Sequence, residues 1–225
     1  MTMRRERERL AGLYAVTPEC DNAEQLVARV AESIAGGAVL VQYRAKKAGG
    51  AAALLQARLI AETCRSAGVP LIINDSIALA MAVQADGVHV GRDDATVREA
   101  LIALPRGLIG VSCYADPERA RAAARDGADY VAIGSMFNSS TKPGAVRAPL
   151  AALAHARLAS GLPVAAIGGI TADNAGELVA AGADLLAVIS ALFDAPDVRL
   201  TAQRLSRHFD RPTGNHDVRT QPQPV

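Results

Sequence analysis

The chain repeats one unit in a degenerate form: an alanine-rich helical stretch, a turn of small residues, and a short apolar run. The unit is visible as IAGGAVLVQYR, MAVQADGVHVGR, ARDGADYVAIGS and LVAAGADLLAVIS. A repeated supersecondary unit constrains the fold strongly, because each copy must bury its apolar face against its neighbours. Each copy predicts one helix followed by one strand.

Further apolar runs without the Gly-Ala-Asp turn complete the set of candidate strands. The runs are continuous in valine, isoleucine, leucine and alanine rather than alternating, which is typical of strands covered on both faces. Segments with helical periodicity lie between them, for example 51–67, 117–126 and 172–181. The candidate strands are Leu13–Thr17, Val39–Tyr43, Leu71–Ile73, Gly87–Val90, Ile109–Ser112, Tyr130–Ile133, Val164–Ile167 and Leu185–Ile189.

Eight alternating β and α units in about 200 residues predict the α/β class and a single (β/α)₈ TIM barrel. We expect the barrel over residues 11–208, a charged N-terminal segment over residues 1–10 and a disordered tail over residues 209–225. A doubly wound open sheet is the alternative fold, because the count of eight strands depends on the shortest runs.

Composition excludes several classes of function. A net charge of +1 gives no long-range field, and 3% aromatic residues with no tryptophan provide no stacking platform, so we expect no nucleic-acid partner. No apolar run approaches the roughly 20 residues that span a bilayer, and we expect no membrane association. Three scattered cysteines without a C-x-x-C pair fit a reducing cytoplasm. The oligomeric state stays open.

The residues at the ends of the apolar runs, and those just after them, carry the functional prediction. Active sites of such barrels lie at the C-terminal ends of the strands, so these residues should meet at one mouth of the barrel. In chain order they are Gln42, Arg44, Lys46, Asn74, Asp75, Asp94, Ser112, Ser139, Ser140, Thr141, Lys142, Gly168, Gly169, Ile189 and Ser190.

Asp75 and Asp94 follow consecutive runs and predict a metal site. Two carboxylates with the amide of Asn74, and no histidine cluster, offer the hard oxygen ligands that suit Mg²⁺ rather than Zn²⁺. Mg²⁺ is usually held by one or two carboxylates, with water and substrate phosphate in the remaining positions. Each aspartate also has a structural interpretation, as the N-cap of the helix that follows it. The occurrence of both at adjacent strand ends favours the metal.

Two differently built anion sites are predicted at the same mouth. Arg44, Lys46 and Lys142 are cations that can neutralise a diphosphate. Gly168–Gly169 and Ile189–Ser190 follow the seventh and eighth runs, where barrels often bind phosphate through backbone N–H groups and a helix N-terminus. The pattern therefore indicates two phosphorylated substrates.

Other polar residues favour structural roles. Asp86, Asp129 and Asp184 precede their runs, so we expect turn residues at the opposite rim of the barrel. His89 falls inside the fourth run and is interpreted as a packed or hydrogen-bonded core histidine. The segment 136–147 is long and contains glycine, so we expect it to serve as a lid.

An ordered set of motifs over residues 13–193 resembles the thiamine phosphate synthase family. The resemblance implies a transferase that condenses 4-amino-2-methyl-5-hydroxymethylpyrimidine diphosphate with 4-methyl-5-hydroxyethylthiazole phosphate, with Mg²⁺ as cofactor. The products would be thiamine phosphate and pyrophosphate, and the pyrophosphate would leave before the thiazole nitrogen attacks. The motifs are LYAVTP, VQYRAK, LIINDSIALAMAVQADGVHVGRDD, IGVSCY, GADYVAIGSMFNSSTKPGA and AIGGITADNAGELVAAGADLLAVISALF.

The resemblance also implies roles for the strand-end residues. Asp75 and Asp94 would hold Mg²⁺, and Arg44, Lys46, Ser112 and Lys142 would serve the chemistry. Contacts to the pyrimidine diphosphate would come from Gln42, Arg44, Lys46, Asn74, Ser112 and Lys142. Contacts to the thiazole phosphate would come from Ser139, Ser140, Thr141, Gly169, Ile189 and Ser190.

The chain departs from the family pattern at a few positions, and two other functions stay open. Ser76 stands where the family often has arginine, and Ser112-Cys113-Tyr114 replaces a common Ser-Thr-His. A thiazole tautomerase-like barrel would need no diphosphate or metal site, and a non-catalytic binder of thiamine phosphate would need no turnover.

Overall fold

A computed structural model of the chain describes residues 10–92, 94–138, 144 and 146–210. Within these residues eight parallel strands pair in chain order, and the last strand pairs with the first to close a barrel. The strands are β1 (Gly12–Val16), β2 (Ala38–Tyr43), β3 (Leu71–Asn74), β4 (Gly87–Val90), β5 (Leu108–Tyr114), β6 (Tyr130–Ile133), β7 (Val164–Ile167) and β8 (Leu185–Val188).

Helices follow the strands, so the predicted β and α alternation is confirmed and the open sheet is excluded. Each strand matches its candidate run to within one residue at either end, except that β5 continues through Tyr114, which pairs with Ile133 of β6. The described helices are α1 (Ala23–Ala35), α2 (Gly50–Ala67), α3 (Ile77–Val83), α4 (Val97–Ala103), α5 (Pro117–Asp126), α6 (Ala151–Ser160), α7 (Ala175–Ala180), α8 (Ser190–Phe193) and α9 (Val198–Ser206), with a 3₁₀ turn at Arg207–Phe209.

Strand side chains alternate between the barrel interior and the layer beneath the helices, as the period of two requires. The interior holds aliphatic residues such as Leu40, Ile72 and Leu185, together with two buried tyrosines, Tyr14 and Tyr130. The larger core, between barrel and helices, is built mainly from alanine, valine, leucine and isoleucine. The core is therefore mainly aliphatic, in line with the 3% aromatic content of the chain.

Three aspartates fasten the N-terminal ends of neighbouring strands to one another. The Oδ2 atoms of Asp86, Asp129 and Asp184 accept the backbone N–H groups of Leu71, Ile109 and Val164, at 2.8, 2.7 and 2.8 Å. In each case an aspartate just before one strand holds the start of the strand that precedes it in the barrel. The expectation of turn residues at the opposite rim is confirmed, and the repeated Gly-Ala-Asp or Ala-Asp turn acquires a role in strand register.

The expected domain boundaries fall near the two ends of the chain. Residues 1–9 and 211–225 lie outside the described residues, so the N-terminal segment, the tail and the limits of the barrel stay predictions. Among the helices that are described, none has the length and apolar character needed to cross a bilayer.

Candidate active site

A cavity of about 720 Å³ opens at the C-terminal ends of the strands. Residues predicted from the strand ends lie on its lining and come from five different strands or the loops after them. They are Gln42, Arg44, Asn74, Ser112, Gly168, Gly169, Ile189 and Ser190. Four further predicted phosphate contacts, Ser139, Ser140, Thr141 and Lys142, lie outside the described residues.

The residues after β1 hold the cationic end of β2 in place. The buried Thr17 accepts the backbone N–H of Arg44 through Oγ1 at 2.9 Å. Glu19 Oε1 accepts the backbone N–H of Lys46 at 2.7 Å and lies 3.7 Å from the Arg44 guanidinium. The loop that carries both cations is therefore fixed by a neighbouring strand end, a role for Thr17 and Glu19 that was missed from the sequence.

Lys46, Asp75 and Asp94 do not line the cavity but form a charged group on the rim beside it. Lys46 Nζ lies 3.2 Å from Asp75 Oδ2, which joins the ends of β2 and β3. Burial raises the pKa of the Asp75 carboxyl, a hydrogen bond with the Asp94 side chain raises it further, and Lys46 opposes both effects. Two carboxylates thus lie side by side, and among the described residues Lys46 is the cation that contacts Asp75.

The capping interpretation is wrong for both aspartates. Ser76 is the N-cap of α3, and its Oγ accepts the backbone N–H of Leu79 at 3.2 Å. Thr96 is the N-cap of α4, in a reciprocal capping box with Glu99. Asp94 Oδ2 instead accepts the backbone N–H of Gly91 at 2.8 Å. Asp75 has a φ of 62°, in the left-handed region, so its backbone is unlike that of an N-cap.

The rim fits a magnesium ion better than a metal that needs a protein cage. Over the described residues no group of three or more histidine, cysteine, aspartate or glutamate side chains is placed to hold a metal. Asp93, beside Asp94, lies outside those residues. Two adjacent carboxylates whose mutual repulsion a cation would relieve are the donor set that Mg²⁺ uses when water and phosphate complete its coordination.

The end of β7 approaches a neighbouring loop so closely that only glycine fits. Gly168 and Gly169 have φ values of 105° and 63°, where side chains are strained. A Cβ on Gly169 would lie 2.2 Å from the carbonyl oxygen of Asn138. Asn174 fixes the next turn, because it accepts the backbone N–H of Thr171 at 2.8 Å and donates to the carbonyl of Gly169 at 3.0 Å.

The end of β8 runs directly into a short helix. Ile189 is the N-cap residue of the four-residue helix α8, and its carbonyl accepts the backbone N–H of Phe193 at 2.9 Å. Arg29 of α1 donates to the carbonyl of Phe193 and so secures the other end of the helix. Ile189 and Ser190 face the same cavity as Gly169, as the sequence predicted.

Polar residues inside the barrel form the bottom of this cavity. Tyr14 and His89 line it, and Tyr130 packs edge-to-face against Tyr14 with 5.8 Å between ring centroids. His89 is hydrogen-bonded to Tyr130 and Ser112, which confirms the expectation of a hydrogen-bonded core histidine. Its place on the cavity lining was missed, because a polar residue within an apolar run was interpreted only as core.

Two further arginines were missed around β5. The Arg92 guanidinium lies 4.7 Å from the ring centroid of Tyr114, and both residues line the cavity. Arg119 of α5 donates through Nε to the carbonyl of Ser112 at 2.7 Å and through Nη2 to that of Gly91 at 3.0 Å. Arg119 thereby connects the end of β5 to the loop that carries Asp94.

The chain is similar to known proteins over most of its length. A model of the thiamine monophosphate synthase family matches residues 13–192. The thiamine-phosphate synthase of Thiobacillus denitrificans is 55% identical over 199 residues, which cover 88% of this chain and 94% of that protein. That of Azoarcus sp. is 57% identical over 191 residues, which cover 84% and 93%.

Solved structures include one similar in both sequence and fold and others similar in fold alone. The thiamine phosphate pyrophosphorylase of Pyrococcus furiosus is 33% identical, with a TM-score of 0.80 over 90% of this chain and 96% of that chain. The orotidine 5'-phosphate decarboxylase of Pyrococcus horikoshii covers 87% of this chain and 98% of its own, at 16% identity and a TM-score of 0.65, and shares the fold alone.

Proposed function

The chain belongs to the thiamine monophosphate synthase family and condenses the pyrimidine diphosphate with the thiazole phosphate, and we propose that the two substrates meet in the cavity described above. The observation that carries this proposal is the contact of Lys46 with Asp75, at 3.2 Å, beside that cavity. It brings a cation and the two carboxylates together at the rim where a diphosphate with a divalent ion would bind.

The diphosphate site is assigned to the ends of β2, β3 and β5. Arg44 offers a planar fork to phosphate oxygens, and Lys46 a compact charge. Two unit charges about 4 Å apart interact by about 1 kcal/mol in water and about 4 kcal/mol at an effective dielectric near 20. Enclosure of the departing pyrophosphate therefore matters as much as the number of cations. Gln42, Asn74, Ser112 and Lys142 are the further contacts that we propose.

Members of this family use a metal ion in catalysis, and we assign Mg²⁺ to Asp75 and Asp94. When bound, the ion would supply positive charge to the leaving pyrophosphate. Lys46 already pairs with Asp75, so its side chain would be shared between that carboxylate and the diphosphate.

The thiazole phosphate is assigned to the ends of β7 and β8. Gly169, Ile189 and Ser190 line the cavity, and Ser139, Ser140 and Thr141 would add hydroxyl donors. The protein's task is to hold the thiazole nitrogen close to the pyrimidine methylene and to keep water away from it. We also propose a cytoplasmic location, because the three cysteines are free and two of them are buried.

Incubation of the purified protein with both substrates and Mg²⁺ tests this function. Thiamine phosphate and pyrophosphate should form in equal amounts, and neither should form when one substrate or the metal is omitted. Turnover that persists in chelator would contradict the metal assignment. Isomerisation of a thiazole phosphate without condensation would identify a tautomerase, and binding of thiamine phosphate without any turnover would identify a binder.

Asp75→Asn is expected to stabilise the metal-free protein. A carboxyl whose pKa is higher in the folded protein than in the unfolded chain weakens the fold as pH rises from its ordinary value through the raised one. Asparagine removes the charge and tolerates a positive φ. We expect a melting temperature about 2–4 °C higher at neutral pH, the shift that about 1 kcal/mol produces in a domain of this size.

Differential scanning calorimetry in chelator and in Mg²⁺, from acid to neutral pH, measures this effect. The gain from Asp75→Asn should shrink toward acid pH, where the parent carboxyl becomes protonated. Mg²⁺ should raise the melting temperature of the parent and leave the variant unchanged. Equal stabilisation of both proteins by Mg²⁺ would remove Asp75 from the metal site.

A further inference from the structure

A hydrogen-bonded row of side chains crosses the barrel interior, and we propose that its three middle members, Tyr14, Tyr130 and His89, are positioning residues. The row, here called the interior chain, is Gln42, Tyr14, Tyr130, His89 and Ser112. It would hold the Ser112 hydroxyl so that its proton points into the cavity, ready to donate to an anionic substrate. The inference rests on the proposed contact between Ser112 and the pyrimidine diphosphate.

Every link of the interior chain has hydrogen-bond length. Gln42 Nε2 donates to Tyr14 Oη at 2.5 Å, and the two tyrosine hydroxyls lie 2.7 Å apart. Tyr130 Oη lies 3.1 Å from His89 Nδ1, and His89 Nε2 lies 2.9 Å from Ser112 Oγ. The row thus connects the end of β2 with the end of β5 through residues of β1, β6 and β4.

The donor at the Gln42 end favours one direction for the bonds of the whole row. Tyr14 accepts from Gln42, and in this direction its single proton goes to Tyr130. Tyr130 accepts that proton and donates its own to His89 Nδ1, which must then be the unprotonated ring nitrogen. The ring proton lies on Nε2 and goes to Ser112 Oγ, which leaves the Ser112 proton directed away from His89.

An anionic ligand favours this direction over its reverse. In the reverse order Ser112 would donate to His89 and would present only lone pairs to the cavity that it lines. A phosphate oxygen beside those lone pairs would be repelled, whereas a hydroxyl proton directed at it makes a charge-assisted hydrogen bond. The direction read from Gln42 and the direction that a diphosphate requires are the same.

The packing around the interior chain leaves room for it and keeps its protons in place. A Cβ on Gly110 would lie 2.1 Å from Tyr130 Cζ and 2.5 Å from His89 Nδ1, so the contact between these rings requires glycine there. Burial raises the pKa of the Tyr14 and Tyr130 hydroxyls, so both keep the protons that they donate.

The first test is the tautomer of His89. Nitrogen NMR of protein labelled with ¹⁵N-histidine distinguishes a protonated from an unprotonated ring nitrogen, and the spectrum of His89→Asn identifies the His89 signals. We expect an unprotonated Nδ1 and a protonated Nε2, and the opposite tautomer would overturn the proposal. This measurement needs no substrate, so it is independent of the proposed function.

The second test asks whether Tyr130 acts through Ser112. Tyr130→Phe should lower kcat/KM for the pyrimidine diphosphate by about tenfold, the loss that one hydrogen bond of about 1.4 kcal/mol produces, and leave the KM for the thiazole phosphate unchanged. In a Ser112→Ala background the same change should alter kcat/KM by less than about twofold, because coupled residues are not additive.

Tyr43→Phe is the matched control for the lost hydroxyl. Tyr43 is also a buried tyrosine, and it donates to Gln56 Oε1 at 2.8 Å outside the barrel interior. Tyr43→Phe should lower the melting temperature by about as much as Tyr130→Phe and leave kcat/KM unchanged. Equal losses for Tyr130→Phe in both backgrounds would show a purely structural role and overturn the inference. A fully active Ser112→Ala would instead refute the proposed contact of Ser112, and with it the route through Ser112.

Discussion

Asp75→Asn is expected to lower kcat/KM for the condensation by about 10³-fold, the scale on which the loss of one electrostatic stabiliser acts. The variant keeps the size of the side chain and the left-handed backbone, since asparagine accepts a φ near 62° as readily as aspartate does. Alanine would add backbone strain at this position and so confuse the two effects. Pyrophosphate release over a series of Mg²⁺ concentrations measures the loss.

Asp173→Asn is the matched control for Asp75→Asn. Asp173 is an exposed carboxylate in the loop after β7, at the same end of the barrel. Its replacement removes one negative charge from the same rim and should leave both kcat/KM and the Mg²⁺ dependence unchanged. Electrostatic stabilisation by a ligand predicts a loss of about 10³-fold. If Asp75→Asn keeps more than about a tenth of the parent rate, Asp75 is not a metal ligand.

Gly169→Ala is expected to lower kcat/KM for the thiazole phosphate by about 100-fold, because a displacement of about 1 Å at a reacting site costs about that factor in rate. The new Cβ would lie 2.2 Å from the Asn138 carbonyl oxygen and 2.8 Å from Phe137 Cβ, so the loop must move. Affinity for the pyrimidine diphosphate should change little, since its proposed contacts lie on other strands. Steady-state kinetics with each substrate varied in turn separates the effect on the thiazole phosphate from the effect on the pyrimidine diphosphate.

Gly161→Ala separates steric displacement from backbone strain. Gly161 has a φ of 68°, close to the 63° of Gly169, but a Cβ there meets no atom within 4 Å. It ends α6 at the opposite rim of the barrel. We expect Gly161→Ala to cost about 1 kcal/mol of stability and no activity. If both variants lost similar activity, the close approach of Gly169 to Asn138 would have no effect on function.

The fold was predictable because its signal is repeated. Apolar runs covered on both faces, separated by helical segments, recur at a spacing that leaves few alternatives to a parallel barrel. The extent of β5 was not predictable in the same way. Ser112 and Tyr114 pair across a bulge with Ala132 and Ile133, and that pairing depends on the position of β6 rather than on local sequence.

The strand-end residues that line the candidate site were predictable from topology, and the interior ones were not. Asn74 follows an apolar run and Ser112 ends one, so the barrel rule places both at the mouth. Tyr14 and Tyr130 lie within or at the start of such runs, where a tyrosine is ordinarily core. Only the closed barrel shows that their hydroxyls meet across its interior at 2.7 Å.

Glu19 and Arg119 support the site through contacts with residues far away in sequence, which local sequence patterns do not predict. Glu19 acts on a loop 27 residues later, and Arg119 reaches back 28 residues to Gly91. The cap of α3 shows a related limit. Asp75 and Ser76 are both good cap residues, and the φ of 62° at Asp75 leaves the role to Ser76.

The three aspartates that bind the strand starts lie at the end of the barrel opposite the cavity, so stability and catalysis depend on different ends of the molecule. Asp86, Asp129 and Asp184 lie as far from the cavity as the strands are long, on the side where barrels concentrate stability rather than chemistry. Substitutions that raise thermal stability at the N-terminal end of the barrel can therefore leave the catalytic rate at the C-terminal end unchanged. Adaptation to a hotter habitat and adaptation to a scarcer substrate become separate evolutionary problems.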